Sequence, residues 1–199
     1  EIKIVDDGEG LSFKEINEKF LVIGRNRRAE EGDNLSKKHK RLPTGKKGLG
    51  KLALFGLAKT ITVLTRQSGK LNELILDWDD LNASTNNYRP RATRIDNDTE
   101  EADGTVITLT GLKRTSPFDV NGLADSLSRI FIFDSSFKLT LESSYGDKIG
   151  IDNKRKYSTL DQEFEWSVGP PSLVPEGSDY SGKLTGQLLT SEKPITPSS

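Results

Sequence analysis

Residues 60–65 (TITVLT) and 105–110 (TVITLT) are rich in β-branched side chains and read as strands. A short apolar run at residues 2–5 reads as another, ending in the acidic, glycine-rich turn Asp6-Asp7-Gly8-Glu9-Gly10. Residues 71–78 read as the antiparallel neighbour of 60–65 across the turn Gln67-Ser68-Gly69, and residues 137–141 alternate as a further strand. Elsewhere the apolar spacing is helical. Phe13, Ile16, Phe20 and Leu21 follow Ser12, which fits a capping box with Glu15, and this helix is expected to stop near Gly24. Val120, Leu123, Leu127, Ile130 and Phe131 predict a helix over 120–131, its apolar stripe facing a core. The compact apolar stretch 49–58 reads as a helix packed on a sheet. Residues 82–103 are polar and read as loop with at most one edge strand.

This order gives an α+β domain rather than strict βαβ alternation. After Ser143 glycine, proline and serine become frequent, with one strand expected at 183–189. The boundary is therefore placed at 145: residues 1–145 form one domain, and 146–199 a linker and the start of a following domain or extension.

Composition narrows the function classes. Across 199 residues, 29 Lys+Arg against 30 Asp+Glu give a net charge of −1, which excludes a uniformly basic coat for nucleic acid or membrane but not a local patch. With 33% hydrophobic and 30% charged residues the core is lean. No apolar run is long enough to span a membrane and no signal peptide is visible, so no membrane partner and a cytoplasmic location are expected. The absence of cysteine removes disulfides, thiolate metal sites and a cysteine nucleophile. A lone histidine, His39, argues against a Ser-His-Asp triad or a histidine-rich metal site. The absence of methionine and the opening EIKIVDDG suggest an internal piece of a longer protein.

The positive charge is local. Residues 25–51 hold ten Lys/Arg against three acidic residues, have few apolar positions and end in PTGKKGLGK. This reads as a long mobile basic loop feeding a glycine-rich turn. Its run Lys37-Lys38-His39-Lys40-Arg41 is a solvated loop, a neutraliser of ligand phosphates or a contact for nucleic acid. The acidic cluster Asp77, Asp79 and Asp80 reads as a solvated strand end, and Trp78 and Trp166 as packing residues.

Two glycine motifs carry the chemistry. In Asp6-x-Gly8-x-Gly10 the glycines let the backbone turn sharply and pass close to a flat ligand, while a carboxylate at a strand end accepts from an exocyclic amine. An acidic hairpin or a cation loop has the same appearance. In Gly45-x-x-Gly48-x-Gly50, opening an apolar helix, consecutive N–H groups form an anion cradle, to which Lys46, Lys47 and Lys51 add charge. Gly45, Gly50 and Lys51 satisfy G-x-x-x-x-G-K, but Leu52 stands where a P-loop needs Ser/Thr, and no apolar strand precedes it.

Taken in order, DDGEGLS, TGKKGLGKLALFG and GTVITL resemble the motifs of the GHKL superfamily (DNA gyrase, Hsp-type chaperones, histidine kinases, MutL), over roughly residues 1–142. The flavour is closest to the chaperone, MutL and Morc-like branch, because a histidine kinase domain would end soon after the GTVITL strand. The resemblance implies a two-layer α/β sandwich, the Bergerat ATP-binding fold, with a mixed, mainly antiparallel sheet. It implies that Asp6 accepts from the adenine amino group, directly and through water, and that Thr105 joins this network. Gly8 and Gly10 let the chain pass beside the purine, and Leu11 packs near the base. Backbone N–H groups of Gly48, Leu49, Gly50 and Lys51, in the turn opened by Gly45, hold the phosphates. Residues 24–47 are the ATP lid, hinged near 23–26, with Asn26 reaching ribose or phosphate.

ATP and Mg²⁺ are the implied ligands. In the superfamily an upstream helix supplies an Asn for Mg²⁺ and, in the favoured branch, a Glu general base; residues 1–199 hold no counterpart. Glu30 and Asn34 have the spacing but lie in the lid with Gly32 between them. No catalytic or metal-ligating residue is therefore assigned within this chain. The resemblance implies an ATPase in the parent protein that closes its lid and homodimerises, with a protein or nucleic acid client. The other reading is a catalytically inactive Bergerat-like scaffold for protein or nucleic acid binding.

Overall fold

A computed structural model describes residues 1–22, 24, 35, 36, 38–41, 50–85, 88–131, 133, 136–157, 162–168 and 186–192. They fall in two compact units, Glu1–Pro117 and Phe118–Ser199. In the first unit the strands are β1 (Ile2–Asp6), β2 (Ala58–Gln67), β3 (Lys70–Asp77), β4 (Arg91–Asp98) and β5 (Gly104–Leu112). They form one sheet in the order β1-β5-β2-β3-β4, and all four pairings are antiparallel. The β2–β3 hairpin turns at Ser68 and Gly69, with φ of 53° and 75°. Positive φ at both central residues is the two-residue turn whose twist matches the flanking strands.

Helical segments cover one face. Helix α1 (Phe13–Glu15) begins at Ser12 with the expected capping box and runs into a π-helical turn, Ile16–Phe20. Helix α2 (Gly50–Ala53) runs into a 3₁₀ turn, Leu54–Gly56. The helix expected over 49–58 is thus cut short: Ala58 is recruited into β2, paired with Leu112 of β5, and sheet pairing overrides helix propensity. A short helix α3 (Trp78–Ala83) follows β3, capped by the Asp77 carboxylate, which accepts from the Asp79 N–H at 2.9 Å. Asp77 also accepts from Thr60, and Asp79 pairs with Lys59 at 2.6 Å, so this acidic cluster closes a strand end. Ile16 and Phe55 pack with Ile61, Val63, Leu74, Leu76 and Leu109 in the core. This is the expected α+β layering, helices over one sheet.

Register orders the core in rows, since directly paired residues share a face. Ile2, Leu109, Ile61 and Leu76 form one row across β1, β5, β2 and β3, and Ile4, Ile107, Val63 and Leu74 the next. The third row is polar: Asp6, Thr105, Thr65 and Asn72. The hydrophobic rows hold the helices; the polar row ends the core and opens the site.

The second unit contains α4 (Val120–Ile130), the hairpin β6 (Leu139–Glu142)–β7 (Lys148–Ile151), a 3₁₀ turn (Arg155–Tyr157) and the hairpin β8 (Gln162–Val168)–β9 (Gly186–Ser191). This unit begins just before α4, whose Ala124 packs with Phe133 and Ile151 in one core. Ala124 and Ser128 are the buried helix positions, while Leu123 is 38% and Ile130 71% exposed. The expected large apolar stripe is therefore displaced toward smaller residues. Trp78 packs against Phe55, as expected, with ring centroids 5.6 Å apart. Trp166 instead lies on an exposed strand face beside Phe164, 5.8 Å away.

Candidate functional site

The site grows from the polar end of the sheet. β1 ends at Asp6, whose Oδ1 accepts the Gly8 N–H at 2.8 Å, so the carboxylate itself closes the D-x-G turn. A Cβ on Gly8 would lie 2.6 Å from that oxygen. Gly10 has φ +64°, and a Cβ there would sit 1.7 Å from the Arg66 carbonyl oxygen. The turn thus passes directly over the end of β2, an approach open only to glycine. Across the sheet Asp6 is paired with Thr105, and a Cβ on Gly104 would lie 2.4 Å from the Asp6 carbonyl.

A hydroxyl pair joins the strands to the turn. The Leu11 N–H donates to Thr65 Oγ1 at 2.8 Å. Thr65 Oγ1 lies 3.3 Å from Thr105 Oγ1 and 3.4 Å from the Gly104 carbonyl. Thr65 is fully buried, and so is Asn72, the last member of the row. Asn72 Oδ1 accepts the Asp96 N–H at 2.9 Å, while its Nδ2 has no partner among the described residues. Buried polar groups such as Thr65 and Asn72 are costly without hydrogen bonds, and here the turn supplies one of them to Thr65.

Behind the turn, α1 is fixed electrostatically. Burial works to raise the Glu15 carboxyl, but bonds from Lys19, the Ser12 backbone, Gln67 and the Ser12 hydroxyl outweigh it and hold its pKa at about 2. An open cleft of about 800 Å³ adjoins this helix, lined by Glu15, Gln67 and Asp103, and shares Glu9 with the turn.

Lys51, expected to add charge at the phosphate motif, uses its ammonium elsewhere. It donates to the carbonyls of Phe20 and of Val22, the latter at 2.8 Å, and lies 5.3 Å from the Phe20 ring centroid. A cation at the C-terminal end of the α1 turn satisfies orphan carbonyls there. Burial lowers its pKa.

Between residues 25 and 49 of the basic loop, Leu35, Ser36 and residues 38–41 are described. The Ser36 N–H donates to the Arg41 carbonyl at 2.8 Å, closing a turn whose tip meets the acidic glycine motif. The Lys38 ammonium donates to the Asp7 carbonyl, and the Lys38 N–H to Glu9 Oε1 at 3.0 Å. His39 Nε2 is 3.4 Å from Asp7 Oδ1. The basic run therefore contacts the D-x-G-x-G turn.

Of the residues singled out in sequence, Asp6, Gly8, Gly10, Leu11 and Thr105 come together at one end of the sheet. Gly50 and Lys51 begin α2. Asn26, Gly45, Gly48, Leu49 and most of the lid lie outside the described residues. Sequence reasoning missed Thr65, although its signal was present: it is the inward position after Ile61 and Val63, and the one polar residue among the buried positions of β2. Among the described residues no group of three or more His, Asp or Glu side chains comes together to hold a metal.

Residues 1–105 match the sequence model of the histidine kinase-, DNA gyrase B- and HSP90-like ATPases. The chain belongs to this family. Its module is the family's ATP-binding one. A curated relative, the putative type II restriction enzyme HgiDII of Herpetosiphon aurantiacus, is 29% identical over 192 residues. That similarity covers 93% of this chain but 29% of the relative, so the chain spans less than a third of that protein's length. Among solved structures, the 43K ATPase domain of Thermus thermophilus gyrase B, in complex with an aminocoumarin, is 14% identical with a TM-score of 0.44, covering 83% of this chain and 43% of that one. The topoisomerase IV ATP-binding domain of Francisella tularensis, in complex with a small-molecule inhibitor, is 14% identical with a TM-score of 0.41, covering 75% and 69%. No described helix of this family member is long and apolar enough to cross a membrane.

Proposed function

We propose that the first unit binds ATP with the adenine edge against Asp6 and Thr105. The observation that carries this is the juxtaposition of a strand-end carboxylate, two close-approach glycines and a hydroxyl pair at one end of the sheet of a chain of this family. A carboxylate accepts only, so Asp6 suits the adenine amino group; Oδ1 already takes the Gly8 N–H, leaving Oδ2 to meet the ligand. Gly8 and Gly10 keep the backbone low beside the purine, with Leu11 against it. The start of α2, at Gly50 and Lys51, offers backbone N–H groups to phosphate, together with Gly45, Gly48 and Leu49. Residues 24–47 serve as the lid, with Asn26 near the ribose or phosphates. The contact of Lys38 and His39 with the Asp7–Glu9 turn supports a lid that reaches the adenine side.

In the whole protein, lid closure drives homodimerisation and ATP hydrolysis. Among the described residues no group of carboxylate or imidazole side chains is gathered to hold Mg²⁺. The name of the HgiDII relative, a putative type II restriction enzyme, supports nucleic acid as the client of the full-length protein.

The test is thermal unfolding of the full-length protein with ATP, wild type against Asp6→Asn. A ligand at a hundredfold excess over Kd stabilises by about 2.7 kcal/mol. Asn keeps the oxygen that closes the turn but brings a donor toward the adenine amine, so the wild type is stabilised and Asp6→Asn is not. An equal shift in both proteins would overturn the assignment.

A further inference from the structure

The orientation of the Thr105 hydroxyl is set from inside the protein. Thr65 Oγ1 has one proton and two lone pairs, and the Leu11 N–H occupies one lone pair at 2.8 Å. Its proton has two acceptors within reach, Thr105 Oγ1 at 3.3 Å and the Gly104 carbonyl at 3.4 Å. When Thr65 donates to Thr105, the Thr105 proton is left for the ligand side, and each hydrogen bond in the chain polarises the next. When Thr65 donates to Gly104 instead, Thr105 turns its proton inward and shows the ligand a lone pair.

Purines differ at this edge. Adenine presents an amine donor beside the N1 acceptor, and guanine presents the O6 acceptor beside the N1–H donor. Asp6 accepts only, so it selects the amine. The group beside it must then donate, directly or through one water, to reach adenine N1.

We infer that Thr65 is the positioning residue that makes Thr105 a donor, and that the relay Leu11 N–H → Thr65 → Thr105 thereby sets the preference of the site for adenine over guanine nucleotides. The inference rests on the nucleotide-binding reading above and adds to it a residue that touches no ligand. Thr65 is fully buried beneath the turn, so it acts only through the groups it bonds, and Leu11 exchange separates its hold on the turn from its effect on Thr105.

The experiment is calorimetric titration of the full-length protein with ATP and with GTP, for the wild type, Thr65→Val, Thr65→Ser and Asp6→Asn. Amide exchange at Leu11 is measured alongside. Thr65→Val keeps the shape and removes the hydroxyl. It is expected to weaken ATP about tenfold, the worth of one hydrogen bond, to leave GTP unchanged, and to speed exchange at Leu11. Thr65→Ser restores the ATP:GTP ratio and the Leu11 protection. Equal weakening of both nucleotides by Thr65→Val, an unchanged ratio, or a Thr65→Ser protein that fails to keep the wild-type ratio overturns the inference. If Asp6→Asn abolishes ATP binding while Thr65→Val leaves the ratio intact, the relay fails and the binding site stands. If the wild type binds neither nucleotide, both fall.

Discussion

Gly10→Ala isolates the close approach on which the turn depends. The new Cβ would lie 1.7 Å from the Arg66 carbonyl oxygen and 2.6 Å from its carbon, in a backbone with φ +64°. Neither neighbour is a flexible side chain; both belong to β2, which is paired on one side with β3 and on the other with β5. The turn must therefore lift. An L-residue in the left-handed region costs about 1–2 kcal/mol. Lifting the turn also draws the Leu11 N–H away from the buried Thr65 hydroxyl, which adds about 1–3 kcal/mol. Together the loss is about 2–5 kcal/mol of the first unit's stability.

The two units need separate probes. Trp78 lies in the first and Trp166 in the second, so a Trp166→Phe background makes Trp78 fluorescence report the first unit alone. Trp78 packs on Phe55 with Lys113 5.3 Å from its ring centroid, so its environment changes when the unit opens. With a urea m-value of about 2 kcal/mol/M, the midpoint should fall by about 1–2.5 M. A Gly10→Ala protein within 0.5 kcal/mol of its parent, at unchanged m, would refute the argument that this turn is pinned on β2.

Gly50→Ala is the opposite case, since no described atom lies within 4 Å of its Cβ position and its φ is ordinary. Stability should hold or rise by up to about 1 kcal/mol in the same urea assay, while ATP affinity falls if phosphate sits on this helix start; an unchanged affinity counts against that placement. For Glu15, the folded pKa of about 2 lies below the ordinary carboxyl value of 4.5. A depressed carboxyl contributes stability above its unfolded value and loses it as pH falls through the folded one, so the first unit should weaken between about pH 5 and pH 2. Glu15→Gln should cost about 1 kcal/mol at pH 7 and flatten that slope; a wild-type slope in the variant would mean another group carries it.

Legibility followed the periodicity of each element. β2 and β5 were found because one face of each is packed and their side chains are branched. β4 is the edge strand expected within 82–103, but its bounds were not legible because all eight residues, Arg91–Asp98, are exposed: with neither face buried, no alternation is written into the sequence. The extent of α2 was misjudged because Leu54 and Phe55 are apolar for packing reasons while the backbone is already turning toward β2. α4 was placed correctly as a helix but with its stripe displaced, since its buried positions are the small Ala124, which packs with the bulky Phe133 and Ile151, and Ser128.

The candidate site was legible on its turn and silent on its floor, and the difference is physical. Glycines and an aspartate at a strand end stand out by residue type, and their order with the two later glycine motifs is what singles them out. A threonine inside TITVLT is indistinguishable from the strand formers around it until the register is known. Once Ile61, Val63 and Thr65 are seen to continue as Leu76, Leu74 and Asn72 on one side and Leu109, Ile107 and Thr105 on the other, the change from apolar to polar occurs on four strands in the same row. A single buried threonine is a strand former with a satisfied hydroxyl. Four polar residues in register beside two apolar rows mark where the core stops, and the strand-end carboxylate Asp6 stands in that row.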